Sequence, residues 1–443
     1  MEKIKNAVEK HQKLILDSER WLWAHPETGY KEWESSKYIS DIFEKLGYEL
    51  VKPGDIPGFY TVIDTGKPGP EILILAELDS IICHSHPESN PETGAVHSCG
   101  HHAQGAALIG IAAALKEPGM LDDLCGKITL CSVPAEELLE IEFRKELKEK
   151  GVIKYFGGKS EFMHRGYFDN IDIAFMVHAS TKYMVRPAMV GCVAKNIVYK
   201  GKAAHAGGSP QNGKNALYAA MNGLNAINSI RETFQEKDII RVHPIITEGG
   251  QMVNAIPDTV RIESYVRSIS FDGMKSANKR VNQALCGAAL SLNNNVDIID
   301  FPGYAPLINN TDMIEIADEA AKIMIPERNF EKITIPSSGS TDMGDFSSVM
   351  PVLHPYAGGA IGTAHGNDYY IIDPVAACVD NAKWQLTILK LLCENNGERA
   401  CKVKNNYAPP FPSIKEYLAF MDTLSCSGER ITYNEDGTAT VRL

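Results

Sequence analysis

Three short apolar runs in this chain each lead directly into side chains that can bind a metal ion or carry a proton. Residues 72–76 are followed by Glu77 and Asp79, residues 128–133 by Glu136 and Glu137, and residues 173–177 by His178. Apolar runs of this length are typical of strands buried on both faces, as in a mostly parallel sheet. Because ligands bind at the carboxyl edge of such sheets, the pattern predicts a functional site where the three strands end.

The segments between these runs indicate the class of fold. An Ala-rich stretch at residues 104–115 predicts a buried helix, and residues 35–46 predict an amphipathic helix that Gly47 ends. Strands that alternate with helices form layered structures. We therefore expect an α/β catalytic domain, with a mostly parallel central sheet flanked by helices.

The pattern changes after His178. Residues 188–302 contain β-rich runs and two helix-like stretches, which predict a compact inserted α+β domain. Polar segments of the earlier kind return at 340–345 and around His365. The expected organisation is a catalytic domain of residues 1–187 and 303–395, an inserted domain of residues 188–302, and a C-terminal extension, residues 396–443, with no predicted role.

The charge and cysteine content exclude several classes of protein. The formal net charge is −12, so no basic face is expected for nucleic acid or anionic lipid. No window of about 18 apolar residues could span a membrane, and the first residues do not resemble a signal peptide. The ten cysteines show no spaced framework, which favours reduced thiols. We expect a cytoplasmic protein without nucleic acid or membrane partners.

The segment His-Ser-Cys-Gly-His-His at residues 97–102 is the strongest short motif. Thiolate and imidazole are good ligands for Zn²⁺ and related divalent ions. A one-residue gap allows Cys99 and His101 to point into one cavity from a tight loop, with Gly100 relieving the backbone. Taken alone, the motif is equally compatible with a loop whose His and Cys have no function.

Glu136 and Glu137 are adjacent carboxylates after a buried strand, which is electrostatically costly unless a cation lies nearby. A metal bound by one carboxylate would let the other take a proton from water. The alternative is a solvated helix start, where Glu is favoured. Two single histidines join this set: His178 follows an apolar strand, and His365 has a glycine-rich flank that permits close approach to a ligand.

The order of these motifs resembles the aminoacylase/carboxypeptidase family of metallopeptidases. The resemblance covers residues 15–395 and rests on His-Pro-Glu at 25–27, Glu-Leu-Asp at 77–79, Ser-Cys-Gly-His at 98–101, Pro-Ala-Glu-Glu at 134–137, His178, Gly-Lys-Ala-Ala-His-Ala at 201–206, Asn-Ala-Ile-Pro-Asp at 254–258 and His365. Within the family, the chain is similar to the amidohydrolase branch of hippurate, auxin-conjugate and aminobenzoyl-glutamate hydrolases. The segment at 340–345 is most like the last of these.

The resemblance implies a site for two divalent metal ions, with Zn²⁺, Mn²⁺ and Co²⁺ all compatible. Cys99 would bridge the two ions. The remaining ligands would be His101, Glu137, His178 and His365. Glu136 would be the general base that activates the attacking water and later protonates the leaving amine.

The resemblance also implies roles for the inserted domain, which would serve as a lid and dimerisation domain. His205 would reach a substrate bound in the other subunit of a homodimer and stabilise the developing oxyanion. Asn254 and Arg267 would bind the substrate carboxylate.

Two features depart from the family pattern near the expected site. The first is His102, which would border the metal ligands as Asp79 would, but stands where the branch usually has Asp or Asn. The loop at residues 81–96 is longer and more polar than the usual connection. Both departures would affect metal preference or the fit of the substrate.

We therefore expect a metal-dependent hydrolase that cleaves the amide bond of a small N-acyl or N-aroyl amino acid or dipeptide-like conjugate with a free carboxylate. An aminobenzoyl-glutamate hydrolase-like enzyme is one form of this hypothesis. The alternatives are a dipeptidase or carboxypeptidase of the same family, a thiol hydrolase with Cys99 as nucleophile, and a non-catalytic binding protein. A thiol hydrolase leaves Glu136 and Glu137 unexplained, and a non-catalytic relic would be expected to lose ligands.

Overall fold

The structure, a computed structural model, describes residues 1–443 and consists of two compact units. The first contains Met1–Ala188, Ile308–Pro336 and Thr341–Ile414, and the second contains Met189–Leu307, Ser337–Ser340 and Lys415–Leu443. The C-terminal extension is thus divided between the two units. No helix combines the length and the apolar character needed to cross a membrane.

A five-stranded sheet forms the centre of the first unit. In spatial order its strands are Phe59–Asp64, Lys127–Val133, Glu71–Glu77, Ile173–Phe175 and Val352–Leu353. The first strand is antiparallel to its neighbour, and all the other neighbours are parallel. The parallel strands therefore end at one edge of the sheet, as their apolar sequences predict.

The helix His101–Leu115 lies in the core of the first unit, and all of its residues are buried. It packs against the strand Glu71–Glu77 and the helix Gln12–Ala24. The other helices are Glu2–Lys10, Trp33–Lys45, Ile141–Glu149, Gly158–His164, Thr311–Met324, Met343–Ser347, Asn381–Cys393 and Glu398–Asn406. An apolar helix of this kind can only be a core element, because no face of it suits water.

Short strands complete the first unit beyond the central sheet. Four of them form a small sheet in the order Glu331–Lys332, Met184–Val185, Tyr356–Ala357 and His178–Ala179. Two antiparallel pairs are formed by Ile81–Ile82 with Ala95–Val96 and by Ala360–Ile361 with Tyr370–Ile371. His178 lies in this small sheet.

The second unit is built on an antiparallel sheet. Its strands are Arg241–Val242, Thr259–Ser268, Gly191–Lys200 and Asn295–Tyr304 in spatial order, and Ile245–Glu248 also pairs with Thr259–Ser268. Its helices Ala216–Ile230 and Phe271–Ser291 pack against each other and against the sheet. The chain ends with the helix Ile414–Asp422 and the paired strands Ile431–Tyr433 and Ala439–Val441. Ile431 is buried in the apolar core of this unit.

The predicted α/β class with a mostly parallel central sheet is confirmed, and the differences are local. The helix predicted at 104–115 begins three residues earlier, at His101. The apolar run 173–177 forms a strand only as far as Phe175. The backbone N–H groups of Met176 and His178 still donate to Leu353 (3.1 Å) and Pro355 (3.0 Å), so the chain stays against its neighbour.

Candidate metal centre

Cys99 and His101 lie on either side of Gly100, at the start of the buried helix. Gly100 has a φ of 98°, in the left-handed region that favours glycine. A Cβ at this position would collide with the Tyr369 hydroxyl and lie 2.8 Å from the Ala179 Cβ. Glycine is therefore required here both by backbone conformation and by space, and it turns the two candidate ligands toward one point.

Two imidazoles present Nε2 to this point because their Nδ1 atoms are already engaged. Nδ1 of His101 lies 2.8 Å from the backbone oxygen of Asp79, and Nδ1 of His178 lies 2.7 Å from that of Ala179. Each Nδ1 must donate to its carbonyl, so each Nε2 is left without its proton when the ring is neutral. Nε2 of His178 lies 3.5 Å from the Cys99 sulfur. Proteins orient histidine ligands of metal ions in this way.

The candidate ligands form overlapping groups that share the Cys99 sulfur. One group is Cys99 with His101 and His178; the other is Cys99 with Glu137 and His365. Within each group, the possible ligand atoms all lie within 4.8 Å of one another. Thiolate, imidazole and carboxylate together suit Zn²⁺ and related transition-metal ions. The residues that the sequence predicted as ligands are thus brought together in two sets joined by one thiol.

The electrostatics of this cluster favour a thiolate. Burial raises the pKa of Cys99 and Glu137 does the same, but the neighbouring imidazoles outweigh both and lower it to about 6. His365 lies with Nε2 2.9 Å from Oε1 of Glu137. The Glu137 carboxylate raises the pKa of His365. Burial raises the pKa of Glu137, but His365, His101 and the hydrogen bond with Cys99 together outweigh burial and lower it to about 2.

The Asp79 carboxylate contacts two of the candidate ligands, Glu137 and His101. Its Oδ2 accepts a hydrogen bond of 2.7 Å from the backbone N–H of Glu137, and its Oδ1 lies 3.1 Å from Nδ1 of His101. The residue is fully buried. One carboxylate therefore ties the end of the strand Glu71–Glu77 to the turn after the strand Lys127–Val133.

Glu136 lies on a strained turn. Ala135 before it has a φ of 58°, which is uncommon for a residue with a Cβ, and its N–H donates to the buried Glu32 carboxylate at 2.7 Å. A carboxylate oxygen of Glu136 lies within 4.8 Å of ligand atoms of both His101 and Glu137. Burial raises the pKa of Glu136, and the carboxylates of Glu77 and Glu137 raise it further.

Sequence reasoning missed a buried ion cluster beside these residues. Lys159 donates to Oε1 of Glu77 at 2.5 Å and to Oδ1 of Asp342, and none of the three side chains is exposed to solvent. Oε2 of Glu77 lies 3.2 Å from Nε2 of His101, so the cluster contacts a candidate ligand. Asp342 lies in the segment 340–345 that resembled a family motif, but no local pattern marks Lys159.

His102 does not join the ligand groups. Its Nε2 lies 3.2 Å from Oε1 of Glu19, and its ring packs edge-on against Trp23 with centroids 5.0 Å apart. Consecutive helix residues point about 100° apart, so His102 faces a different neighbour from His101. The residue borders the candidate centre in sequence, but its side chain belongs to a separate cluster.

Three predicted site residues lie in the second unit. His205 and Asn254 are exposed neighbours, since the N–H of Ala206 donates to the backbone oxygen of Asn254 at 2.9 Å. Nδ1 of His205 accepts from the N–H groups of Gly207 (3.2 Å) and Gly208 (2.8 Å), so a neutral ring carries its proton on Nε2. Arg267 packs its guanidinium over the ring of Tyr265, and its buried Nε has no hydrogen-bond partner.

Comparison with known proteins adds one family and several relatives. The family model described as peptidase family M20/M25/M40 matches residues 76–390. Xaa-Arg dipeptidase of Mus musculus is 28% identical over 353 residues, which cover 76% of this chain and 74% of that protein. IAA-amino acid hydrolase ILR1-like 4 of Arabidopsis thaliana is 25% identical and covers 76% of each chain.

A solved structure supports the same fold. The YXEP protein of Bacillus subtilis, described as a dinuclear metal binding peptidase, superposes with a TM-score of 0.62 at 20% identity. The match covers 87% of this chain and 99% of that structure.

Proposed function

The chain belongs to peptidase family M20/M25/M40 and is an amide-bond hydrolase, and from this premise we propose that it uses two divalent metal ions to cleave a small N-acyl or N-aroyl amino acid. The observation that carries the proposal is the pair of ligand groups that share the Cys99 sulfur. A single ion would need only one of these groups. Two groups with a common thiol are the arrangement expected for two ions joined by one ligand.

The proposed ligands are Cys99, His101, Glu137, His178 and His365. When bound, the two ions supply Lewis acidity that polarises the amide carbonyl and lowers the pKa of the attacking water. We propose Zn²⁺ or Mn²⁺, with Co²⁺ also compatible with a set of thiolate, imidazole and carboxylate ligands.

Glu136 is the proposed general base. Its carboxylate lies beside the ligand groups but is not needed to complete either set around Cys99. It would take a proton from the attacking water and return that proton to the leaving amine nitrogen. Its buried surroundings, which raise its pKa, favour a group that can hold a proton between these two events.

The second unit is proposed to bind the substrate. A neutral His205 carries its proton on Nε2, which is the donor that a developing oxyanion requires. Arg267 has a buried Nε without a hydrogen-bond partner, which could donate to a carboxylate, and Asn254 lies on the same loop system as His205. We propose that the inserted domain acts as the lid and dimerisation domain of a cytoplasmic homodimer, with His205 serving the partner's substrate.

A dipeptidase is the second candidate, because Xaa-Arg dipeptidase is among the relatives. The proposed chemistry is the same for both, since an N-acyl amino acid and a dipeptide present the same amide and the same free carboxylate. The two candidates differ only in whether the acyl side carries an amino group.

The experiment is hydrolysis by purified protein that has been stripped with a chelator and then resupplied with Zn²⁺ or Mn²⁺. The substrates are N-acetyl and N-benzoyl amino acids, aminobenzoyl-glutamate and dipeptides that include Xaa-Arg. Metal-dependent release of the amine from the acylated amino acids supports the first candidate, and release from the dipeptides alone supports the second. Turnover that survives complete metal removal would refute both.

A further inference from the structure

Three buried carboxylates lie next to one another beside the candidate metal centre. Oxygen atoms of Glu77, Glu136 and Asp342 all lie within 4.8 Å of one another, and all three residues are buried. Like charges this close inside a protein repel strongly unless a cation is placed among them. Something must therefore hold these groups in place.

Lys159 supplies the cation. Its ammonium bridges Glu77 and Asp342, and its own backbone N–H donates to the second oxygen of Asp342 at 3.2 Å. The remaining oxygen of Glu77 accepts a hydrogen bond of 2.9 Å from Gln104. Burial disfavours the charge of Lys159, but the carboxylates of Asp342, Glu77 and Glu136 outweigh burial and raise its pKa.

The helix that carries Lys159 also packs directly on the turn that carries Glu136. The N–H of Gly158 donates to the backbone oxygen of Ala135 at 3.2 Å. A Cβ on Gly158 would overlap the backbone oxygen of Pro134, so this contact requires glycine. Lys159 thus connects three separate segments: the strand end at Glu77, the turn before Glu136 and the segment at Asp342.

We propose that Lys159 is a positioning residue, whose buried ammonium holds Glu77 against His101 and sets the place of Glu136 at the metal centre. The inference rests on the proposed function, because it assigns Lys159 to the same site. Lys159 acts through its partners and contacts neither the proposed ligands nor the substrate. Without the ammonium, Glu77 and Asp342 would move apart, and His101 and Glu136 would lose their fixed neighbours.

The test uses Lys159→Met with Lys195→Met as the matched control. Lys195 in the second unit is also fully buried and is paired with one carboxylate, that of Asp300. Both variants remove a buried ammonium and keep most of the length of the side chain. The measurements are Zn²⁺ affinity and stoichiometry from chelator competition, thermal stability, and kcat and KM for the substrate found with the wild-type protein.

We expect Lys159→Met to lower Zn²⁺ affinity or kcat by about 10- to 100-fold, the usual effect of losing a group that orients metal ligands. KM should change little, and Lys195→Met should leave both Zn²⁺ affinity and kcat at the wild-type level. Equal Zn²⁺ affinity and equal kcat in the two variants would overturn the proposal. If Lys159→Met does not fold, the double variant of Lys159→Met with Asp342→Asn takes its place. It removes the ammonium together with one of its two carboxylate partners, and Zn²⁺ affinity and kcat are measured in the same way.

The two proposals fail separately. A wild-type protein that binds two ions but hydrolyses no amide would refute the proposed function. The Zn²⁺ affinities of the two lysine variants would still decide the role of Lys159.

Discussion

The two units each contain a lysine whose side chain is not exposed to solvent. These lysines, Lys159 in the first unit and Lys195 in the second, have different surroundings. Lys159 contacts two carboxylates, Glu77 and Asp342. Lys195 contacts one, Asp300, which is also its cross-strand neighbour. Burial opposes the charge on both lysines. The carboxylates of Asp342, Glu77 and Glu136 outweigh burial and raise the pKa of Lys159, whereas the carboxylate of Asp300 does not outweigh it, and the pKa of Lys195 is lowered.

The other groups around each lysine show which role its surroundings suit. Asp300 accepts hydrogen bonds from neutral groups, Asn278 at 2.7 Å and Asn282 at 3.2 Å, and also from the thiol of Cys426 at 3.1 Å. This network contains two cations and one carboxylate, because the buried Arg430 guanidinium donates to the Cys426 sulfur at 2.8 Å. Around Lys159 the carboxylates exceed the ammonium, and such an excess of negative charge suits a place that binds cations. The first cluster is thus expected to serve chemistry, and the second to hold the C-terminal segment on its unit.

The largest effect is expected from Glu136→Gln, which tests the chemical side of this comparison. The amide keeps the shape of the side chain but cannot accept the proton of water. We expect kcat to fall by about 10²- to 10⁴-fold while two metal ions remain bound. Steady-state kinetics together with metal analysis checks this. Glu117→Gln is a control, because Glu117 pairs only with Lys10 and His11 on the surface; wild-type turnover in Glu136→Gln would rule out this residue as the base.

Replacing the sulfur that the two ligand groups share tests whether Cys99 binds metal ions or acts as the nucleophile of a thiol hydrolase. We expect Cys99→Ser to bind fewer than two ions and to lose turnover, because the hydroxyl is a poor substitute for a bridging thiolate. Cys378→Ser should retain both ions, since Cys378 is also buried but lies outside the ligand groups. Metal analysis and chelator treatment are the measurements. An enzyme that keeps full turnover in chelator and loses it only in Cys99→Ser would favour the thiol mechanism instead.

Lys195→Met tests the structural side of the comparison. Removing one partner of a buried ion pair leaves the other charge uncompensated, so we expect a loss of about 3–5 kcal/mol in the free energy of unfolding. Turnover of the folded protein should not change. Urea denaturation measures the first quantity and kinetics the second. The double variant with Asp300→Asn should recover part of the stability; no recovery would mean that packing, not charge, makes Lys195 important.

The smallest effect is expected from lowering the pH, which acts on the ion pair of Lys195 and Asp300. Burial raises the pKa of Asp300, but the charge of Lys195 and several hydrogen bonds outweigh burial and lower it. Since the folded state has the lower pKa, the stabilisation is present above the unfolded value of about 3.9 and is lost as the pH falls below it. Urea midpoints should fall less steeply between pH 5 and pH 3 in Asp300→Asn than in the wild type; equal slopes would remove Asp300 from the acid response.

Sequence patterns located the candidate ligands because each is marked by its immediate neighbours. Cys99 and His101 are marked by the glycine between them, and Glu137 by the apolar strand before it. Strand ends of a parallel sheet meet at one edge, so local patterns were enough to predict that distant residues converge. His102 shows what such local patterns leave open, because its position beside His101 predicted only that it borders the metal ligands, and the structure adds that its side chain faces Glu19.

The sequence by itself determined the α/β class, the parallel strands and the types of candidate ligand, since these follow from periodicity and from residues a few positions apart. Only the tertiary structure decided that Lys159 lies between Glu77 and Asp342, and that Cys426 reaches Asp300. These partners are separated by many residues and no periodic signal joins them. Their pairing is set by how the helices and strands pack, because a buried charge is stable only where the whole fold supplies its partner.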